Sequence, residues 1–444
     1  MLLKLYEERK VSGENQLLSW KYAQKLHDYI FPFLHQLDIH LDKRLVRTFF
    51  DLLGCLIRFR DRHNGMVLSE LGSYLLGPLR CCAGTKRISN LLRSKNWTHK
   101  LIDQYLFDRA GKRVQVLLCS GISPLLLWDG SVLEKAESWN VEGLGPVRSA
   151  KAKRLKRIKP GYYAPPSGTI HVPGFEWLGV VLSGLGEECS IVAMRWWSRR
   201  GKAKAHFSTI RDNMLWLLAK LPKGCIHVFD RGFAGRPFLE KLFTYQQDFI
   251  LRWPKRFLLL DLKGESRNTW KFSTGRKPMD HTWIVDGQGN RRQIGMLYTQ
   301  VAHPQWPDTP LYLVISRPGK KRKPWYLLTS IPITSHQKAW EVIFSYARRW
   351  KIEQTFRFAK AEMGMESPRL WFWENRLKFM AILTLAIDFI FLLTHQGRTT
   401  DIEQLLNTWN HRTGNRCKKP PAPIYRIRLA LSHAWNYWII QSSG

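Results

Sequence analysis

Residues 225–253, CIHVFDRGFAGRPFLEKLFTYQQDFILRW, decide the fold class. The first five residues form a short apolar run that stops at Asp230, Arg231 and Gly232, as a buried strand does at its end. RPFLEKLFTYQQ then carries apolar residues at helical spacing, and DFILRW is a second short apolar run. Upstream, FSTIRDNMLWLLAKL has helical periodicity closed by Pro222 and Gly224. Before it, FEWLGVVLSGLG and CSIVAMRWWS read as a hairpin turning around Gly184 and Gly186. From Val114 the pattern is that of strands, with the apolar run LLLW leading into Asp129 and Gly130. The predicted order is therefore strand, strand, strand, helix, strand, helix, strand, which is an α/β core.

This core occupies residues 111–262, and a second part follows at 325–396. Between them, residues 263–324 read as a β-rich insertion. HTWIVDGQGNRRQIGMLYTQV and PLYLVISRPGKKRKPWYLLTSIP are predicted hairpins, the second with Lys320, Lys321, Arg322 and Lys323 at its tip. That tip suits a phosphate backbone, although basic hairpin tips also serve simply as soluble edges. Residues 1–110 are predicted all-helical. Within them LSELGSYLLG, a turn containing Pro78 and Gly84, and TKRISNLLRSKNW fit a helix-turn-helix whose second helix carries Lys86, Arg87, Arg93 and Lys95. Residues 397–444 read as a basic linker and an amphipathic helix.

The charge is the abnormal feature of the composition. Seventy Lys and Arg against 35 Asp and Glu give +35 and a pI near 10.2. Such an imbalance repels itself unless a polyanion neutralises it, which points first to nucleic acid. RSAKAKRLKRIKP, with seven cations in thirteen residues, is either a solvated loop or a further phosphate contact. No apolar run opens the chain as an export signal would, and the apolar stretch of residues 379–394 contains Asp388 and is shorter than a membrane span needs. Seven scattered cysteines form no CxxC pair and no zinc spacing, which suits a reducing cytoplasm.

In YARRWKIEQTFRFAK, residues 346–360, spacings of three, four and seven place Tyr346, Arg349, Glu353 and Lys360 on one helical stripe. Arg357 lies on the same stripe, and Ile352, Phe356, Ala359 and Met363 sit to one side as core anchors. A solvated face of Glu/Arg pairs would look the same in isolation. Asp129 and Asp230 at strand ends change the reading. Either one alone fits a turn former, but three converging carboxylates repel one another unless a divalent cation joins them. Glu134, Glu341 and Glu362 are placed away from the stripe or toward solvent, and His227 alternates away from Asp230.

Asp129 in WDGS, Asp230 in VFDRGFA, and Tyr346, Arg349, Glu353 and Lys360 in Tyr-x2-Arg-x3-Glu-x6-Lys resemble the DDE transposases of bacterial insertion sequences. The branch resembled is insertion-sequence family four, defined by this YREK signature. The resemblance covers about residues 114–395. It implies a ribonuclease H-like core preceded by a helical DNA-binding domain, with Asp129, Asp230 and Glu353 holding two Mg²⁺ or Mn²⁺ ions. It implies cleavage of double-stranded DNA at transposon ends, strand transfer into target DNA, and a homodimer in the DNA complex. Tyr346, Arg349 and Lys360 would grip phosphates, joined by Arg357. Some relatives stack a flipped base on a Trp of the β insertion, for which Trp270, Trp283, Trp306 and Trp325 are available, Trp283 and Trp306 foremost. A DNA-binding protein without catalysis and a metal-dependent nuclease that never joins are the other two readings. The first has no need of buried acids; the second shares every catalytic residue.

Overall fold

The computed structural model describes residues 14–60, 66–135, 138, 141–149, 170–184, 189–201, 210–285, 289–319, 323–395, 400–410 and 424–442. The N-terminal part is helical: α1 (Glu14–Asp38), α2 (Lys43–Arg58), α3 (Leu68–Leu76), α4 (Cys81–Arg93) and α5 (His99–Cys119). Asp42 caps α2 by accepting from the amides of Arg44 and Leu45. A 3₁₀ turn at Pro78–Arg80 joins α3 to α4. Gly84, expected in that turn, lies inside α4 instead, at a place where a Cβ would run into the Gly72 carbonyl of α3. The two helices cross where both lack a side chain. Lys86, Arg87 and Arg93 point to solvent from α4, and Lys95 lies past its end.

The expected change to strands at Val114 comes eleven residues later, at Leu125. Val114 and Leu117 are buried at helical spacing on α5, and a short apolar run reads equally as helix or strand. α5 therefore passes through position 110 unbroken.

The strands are β1 (Leu125–Glu134), β2 (Gly145–Arg148), β3 (His171–Ser183), β4 (Cys189–Trp197), β5 (Ile226–Phe229), β6 (Asp248–Arg252), β7 (Leu258–Leu260), β8 (Ser266–Asn268), β9 (Asp280–Val285), β10 (Arg291–His303), β11 (Trp306–Arg317) and β12 (Trp325–Thr329). Helices α6 (Ile210–Leu218) and α7 (Arg236–Thr244) flank β5. The strands form one mixed sheet in the order β2-β3-β1-β5-β6-β12-β11-β10-β7-β8, with β4 paired to β3 and β9 to β10. β1, β5 and β6 run parallel, and the other pairs are antiparallel. Both hairpins expected in 263–324 form, but their strands continue the central sheet through β12.

Alternation sorts the strand side chains between two layers. Leu126 and Trp128 pack with Met214 and Leu217 of α6 and Leu239 of α7, while Leu125 and Leu127 face the opposite core. That second core holds α8 (His336–Ala347), α9 (Trp350–Arg357) and α10 (Trp373–His395), together with the N-terminal helices and α12 (Ile424–Ser442). A short helix, α11 (Thr400–Trp409), lies between α10 and α12 in the chain. α10 is longer than the apolar run suggested and long enough to cross a bilayer, yet it is enclosed by protein. The terminal helix packs inward too, its Trp435 indole donating to the Ser19 carbonyl at 3.2 Å.

Residues 346–360 are not one helix. α8 ends at Ala347, Arg348 and Arg349 form a turn, and α9 passes at Phe358 into a π turn in which the Met363 amide bonds to the Phe358 carbonyl at 3.0 Å. Ile352, Phe356, Ala359 and Met363 are buried, as the periodicity required.

Candidate active site

The strand register places the acids. Leu127 pairs with Val228 and Phe229 with Leu251, so two residues and one residue further on Asp129, Asp230 and Arg252 stand in one row across three parallel strands. Neighbouring strands lie about 4.8 Å apart, which fixes the row's scale. On the other side of β1, Asp129 pairs with Gly179. A Cβ on Gly179 would lie 2.7 Å from Phe356 Cε1, so this glycine is what lets α9 descend onto the row. Glu353 lies one residue short of a turn before Phe356 and arrives with it.

Arg349 joins the two elements. Its guanidinium donates to Asp129 Oδ2 at 3.0 Å through one terminal nitrogen and to Glu353 Oε1 through the other. Tyr346 donates its hydroxyl to Asp230 Oδ1 at 3.1 Å, and Arg252 stands 4.0 Å from the same oxygen. Lys360, within the π turn, reaches past Asp129 to Ser131 Oγ at 2.8 Å and the Val132 carbonyl at 2.6 Å. The structure thus gathers Asp129, Asp230, Glu353, Tyr346, Arg349 and Lys360. Arg357 is exposed. Lys320, Lys321 and Arg322 lie outside the described residues, as does most of the basic run 148–160.

Burial raises the Asp129 carboxyl to about 6 against the pull of Arg349 and the Gly130 amide, while Glu353 and Asp230 add like-charge repulsion. Burial and the Asp230 charge push Tyr346 up to about 12, so its phenol is a proton donor at neutral pH. Burial disfavours the Arg349 charge, but Tyr346, Asp129, Asp230 and Glu353 outweigh it and raise its pKa.

Three carboxylates offer the hard oxygen donors that Mg²⁺ and Mn²⁺ take, and the mutual repulsion felt by Asp129 is what such an ion relieves. The donor set fits a divalent ion. The arrangement has Arg349 in the bridging place, and among the described residues no group of three or more His, Cys, Asp or Glu stands close enough to hold one.

Arg252 was missed in the sequence, although its signal was there as the one cation in the apolar run DFILRW after Asp230. It opens onto a cleft of about 540 Å³ lined by Arg231, Arg252, Lys255, Arg256, Lys323 and Trp270, with no carboxylate among the described residues that line it. Of the four tryptophans considered, Trp270 is the one in this cleft. Trp306 packs on Phe243 and His303, Trp325 on Tyr346, and Trp283 is exposed on β9. His227 is fully buried between the Trp128 indole and Gln247, a structural role. Glu134, expected toward solvent, is half-buried and accepts from Ser149 at 2.7 Å.

Two acids on parallel strands are thus closed over by a basic helix that brings a third. Residues 204–389 match the family model described as transposase DDE domain. The match takes in Asp230 and all of Tyr346 to Lys360, while Asp129 precedes it. It supports a DDE transposase, a DNA-processing role with DNA as substrate. No curated protein matches the chain. Among the described residues one helix is long and apolar enough to cross a membrane, and it is buried inside the protein.

Proposed function

We propose that this chain is a cut-and-paste DDE transposase of insertion-sequence family four, cleaving double-stranded DNA at transposon ends and transferring the strand into target DNA. The observation that carries the reading is the single guanidinium of Arg349 tying Asp129 on β1 to Glu353 on α9, beside the Asp230–Tyr346 bond. Residues 111–262 and 325–396 would form a ribonuclease H-like core around the β-rich segment 263–324. Residues 1–110 would supply a helical DNA-binding domain, with Lys86, Arg87 and Arg93 facing DNA from α4.

Asp129, Asp230 and Glu353 would hold Mg²⁺ or Mn²⁺, which when bound stabilises charge in an in-line phosphoryl displacement. The chain's own part is positioning and neutralisation. Tyr346 as a neutral donor and Arg349 and Lys360 as cations would hold phosphates beside the acids, with Arg357 and the tip at Lys320, Lys321 and Arg322 further along the backbone. The cationic cleft beyond Arg252 supports this path, since it offers five positive side chains next to Asp230. Residues 397–444 would serve packing, and a homodimer would act on the DNA.

The test uses the DNA flanking the gene as substrate. Asp129→Ala, Asp230→Ala and Glu353→Ala are each expected to abolish Mg²⁺-dependent end cleavage while gel-shift binding persists. Cleavage that survives all three changes removes the site assignment. Cleavage without joining to target DNA selects the nuclease reading.

A further inference from the structure

In the arrangement seen here every one of the three acids already has a cationic or phenolic partner from the chain itself. Asp230 has Tyr346 and Arg252, while Asp129 and Glu353 share Arg349. Arg349 is 8 % exposed and lies in the turn between α8 and α9. Its Nε is buried without a hydrogen-bond partner, so the fork is incompletely satisfied even while both terminal nitrogens are engaged. A guanidinium does not give up its charge in a protein, so it cannot free the carboxylates by losing a proton. It can only leave. A phosphodiester offers this planar fork two oxygens of matching geometry.

We infer that Arg349 is a displaceable internal counter-ion: it holds Asp129 and Glu353 together until a DNA phosphate takes its guanidinium, and only then are the two carboxylates released to a divalent metal. Metal binding and DNA binding are thereby coupled through one side chain, and each ligand tightens the other. The inference deepens the transposase reading by giving the site its order of assembly, and it rests on that reading for the identity of the two ligands.

The experiment is Mn²⁺ titration of the full chain, followed by calorimetry and by the Mn²⁺ spin-resonance signal, with and without duplex DNA. Without DNA, Arg349→Gln is expected to bind Mn²⁺ at least tenfold more tightly than the wild type. Arg349→Gln combined with Glu353→Gln is expected to lose that gain. Duplex DNA is expected to tighten Mn²⁺ binding in the wild type and to leave Arg349→Gln unchanged. Equal or weaker Mn²⁺ binding by Arg349→Gln overturns the inference. Arg349→Lys keeps the charge but lacks the planar fork that engages both carboxylates, so it is expected to fall between the two; should Arg349→Gln melt early, the comparison rests on the lysine variant, and wild-type affinity there overturns the inference equally. Gained Mn²⁺ affinity in a protein that never cuts DNA keeps the counter-ion and removes the transposase. Mg²⁺-dependent cutting with no gain does the reverse.

Discussion

In two places in this chain, aspartates meet an arginine and a tyrosine, and they do different work. Asp388, in the middle of α10, is 3 % exposed and accepts from the Tyr29 hydroxyl at 3.0 Å and the Ile191 amide at 2.7 Å, with Arg109 at 3.7 Å. It fastens α1 and α5 to the edge strand β4. Asp129, on the interior strand β1, shares its arginine with Glu353, and Asp230 nearby takes the tyrosine. The first carboxylate is sealed, with a donor on each oxygen. The second group is only partly buried, with Arg252 linking Asp230 to the neighbouring cationic cleft, and it is repelled by like charges and neutralised by a cation that has two claims on it. Residue types alone do not separate a structural acid from a reactive one. Enclosure and completeness of hydrogen bonding do.

The sharpest break in the comparison is the stability of the two truncations. Asp388→Ala strands Arg109, the Tyr29 hydroxyl and the Ile191 amide inside the protein, and is expected to cost roughly 3–5 kcal/mol in urea denaturation. Asp129→Asn is expected to be neutral or stabilising at pH 7, because the folded protein disfavours this carboxylate's charge. A smaller effect is expected at Gly179, where a methyl group would sit 2.7 Å from Phe356 Cε1 and 3.2 Å from Met194 Sδ. Gly179→Ala is expected to cost about 1–3 kcal/mol and to reduce end cleavage by moving Glu353 off the acid row. Wild-type cleavage in that variant would separate the glycine from the site.

The effect that is smallest at neutral pH is a pH dependence. Burial lowers His227 from 6.5 to about 4, so between those values the unfolded chain binds more protons than the folded one. The stability this histidine contributes is complete above 6.5 and is lost as the pH falls toward 4, at about 1.4 kcal/mol per pH unit. Melting curves should therefore show the wild type's advantage over His227→Gln shrinking across that window. A constant difference would mean that His227 is not held neutral by the fold.

Much of the core was legible because buried strands and amphipathic helices leave one-dimensional periods. The runs around β5, α7 and β6, the hairpin of β3 and β4, and the buried side of α9 all appear where those periods put them. Val114 to Cys119 did not, since six apolar-rich residues satisfy both periods and only packing against the sheet chose the helix. The break at Arg348 and the π turn at Phe358 were also hidden. Periodicity reports which face of a helix is apolar, and carries no mark of where the backbone ladder slips by a residue.

By itself the sequence determined the candidate acids, the Tyr, Arg and Lys spaced around Glu353, and the polyanion that a charge of +35 calls for. Only the tertiary structure decided which strand lies beside which, and hence that Asp129, Asp230 and Arg252 form a row. It also decided that Arg349 bridges two of the acids and that Asp388 is a fastener. Arg349 and Asp129 are 220 residues apart, and Tyr29 and Asp388 are 359 apart. Contacts over such separations are set by sheet register and helix docking, which depend on the whole core packing at once and leave no local trace in the chain.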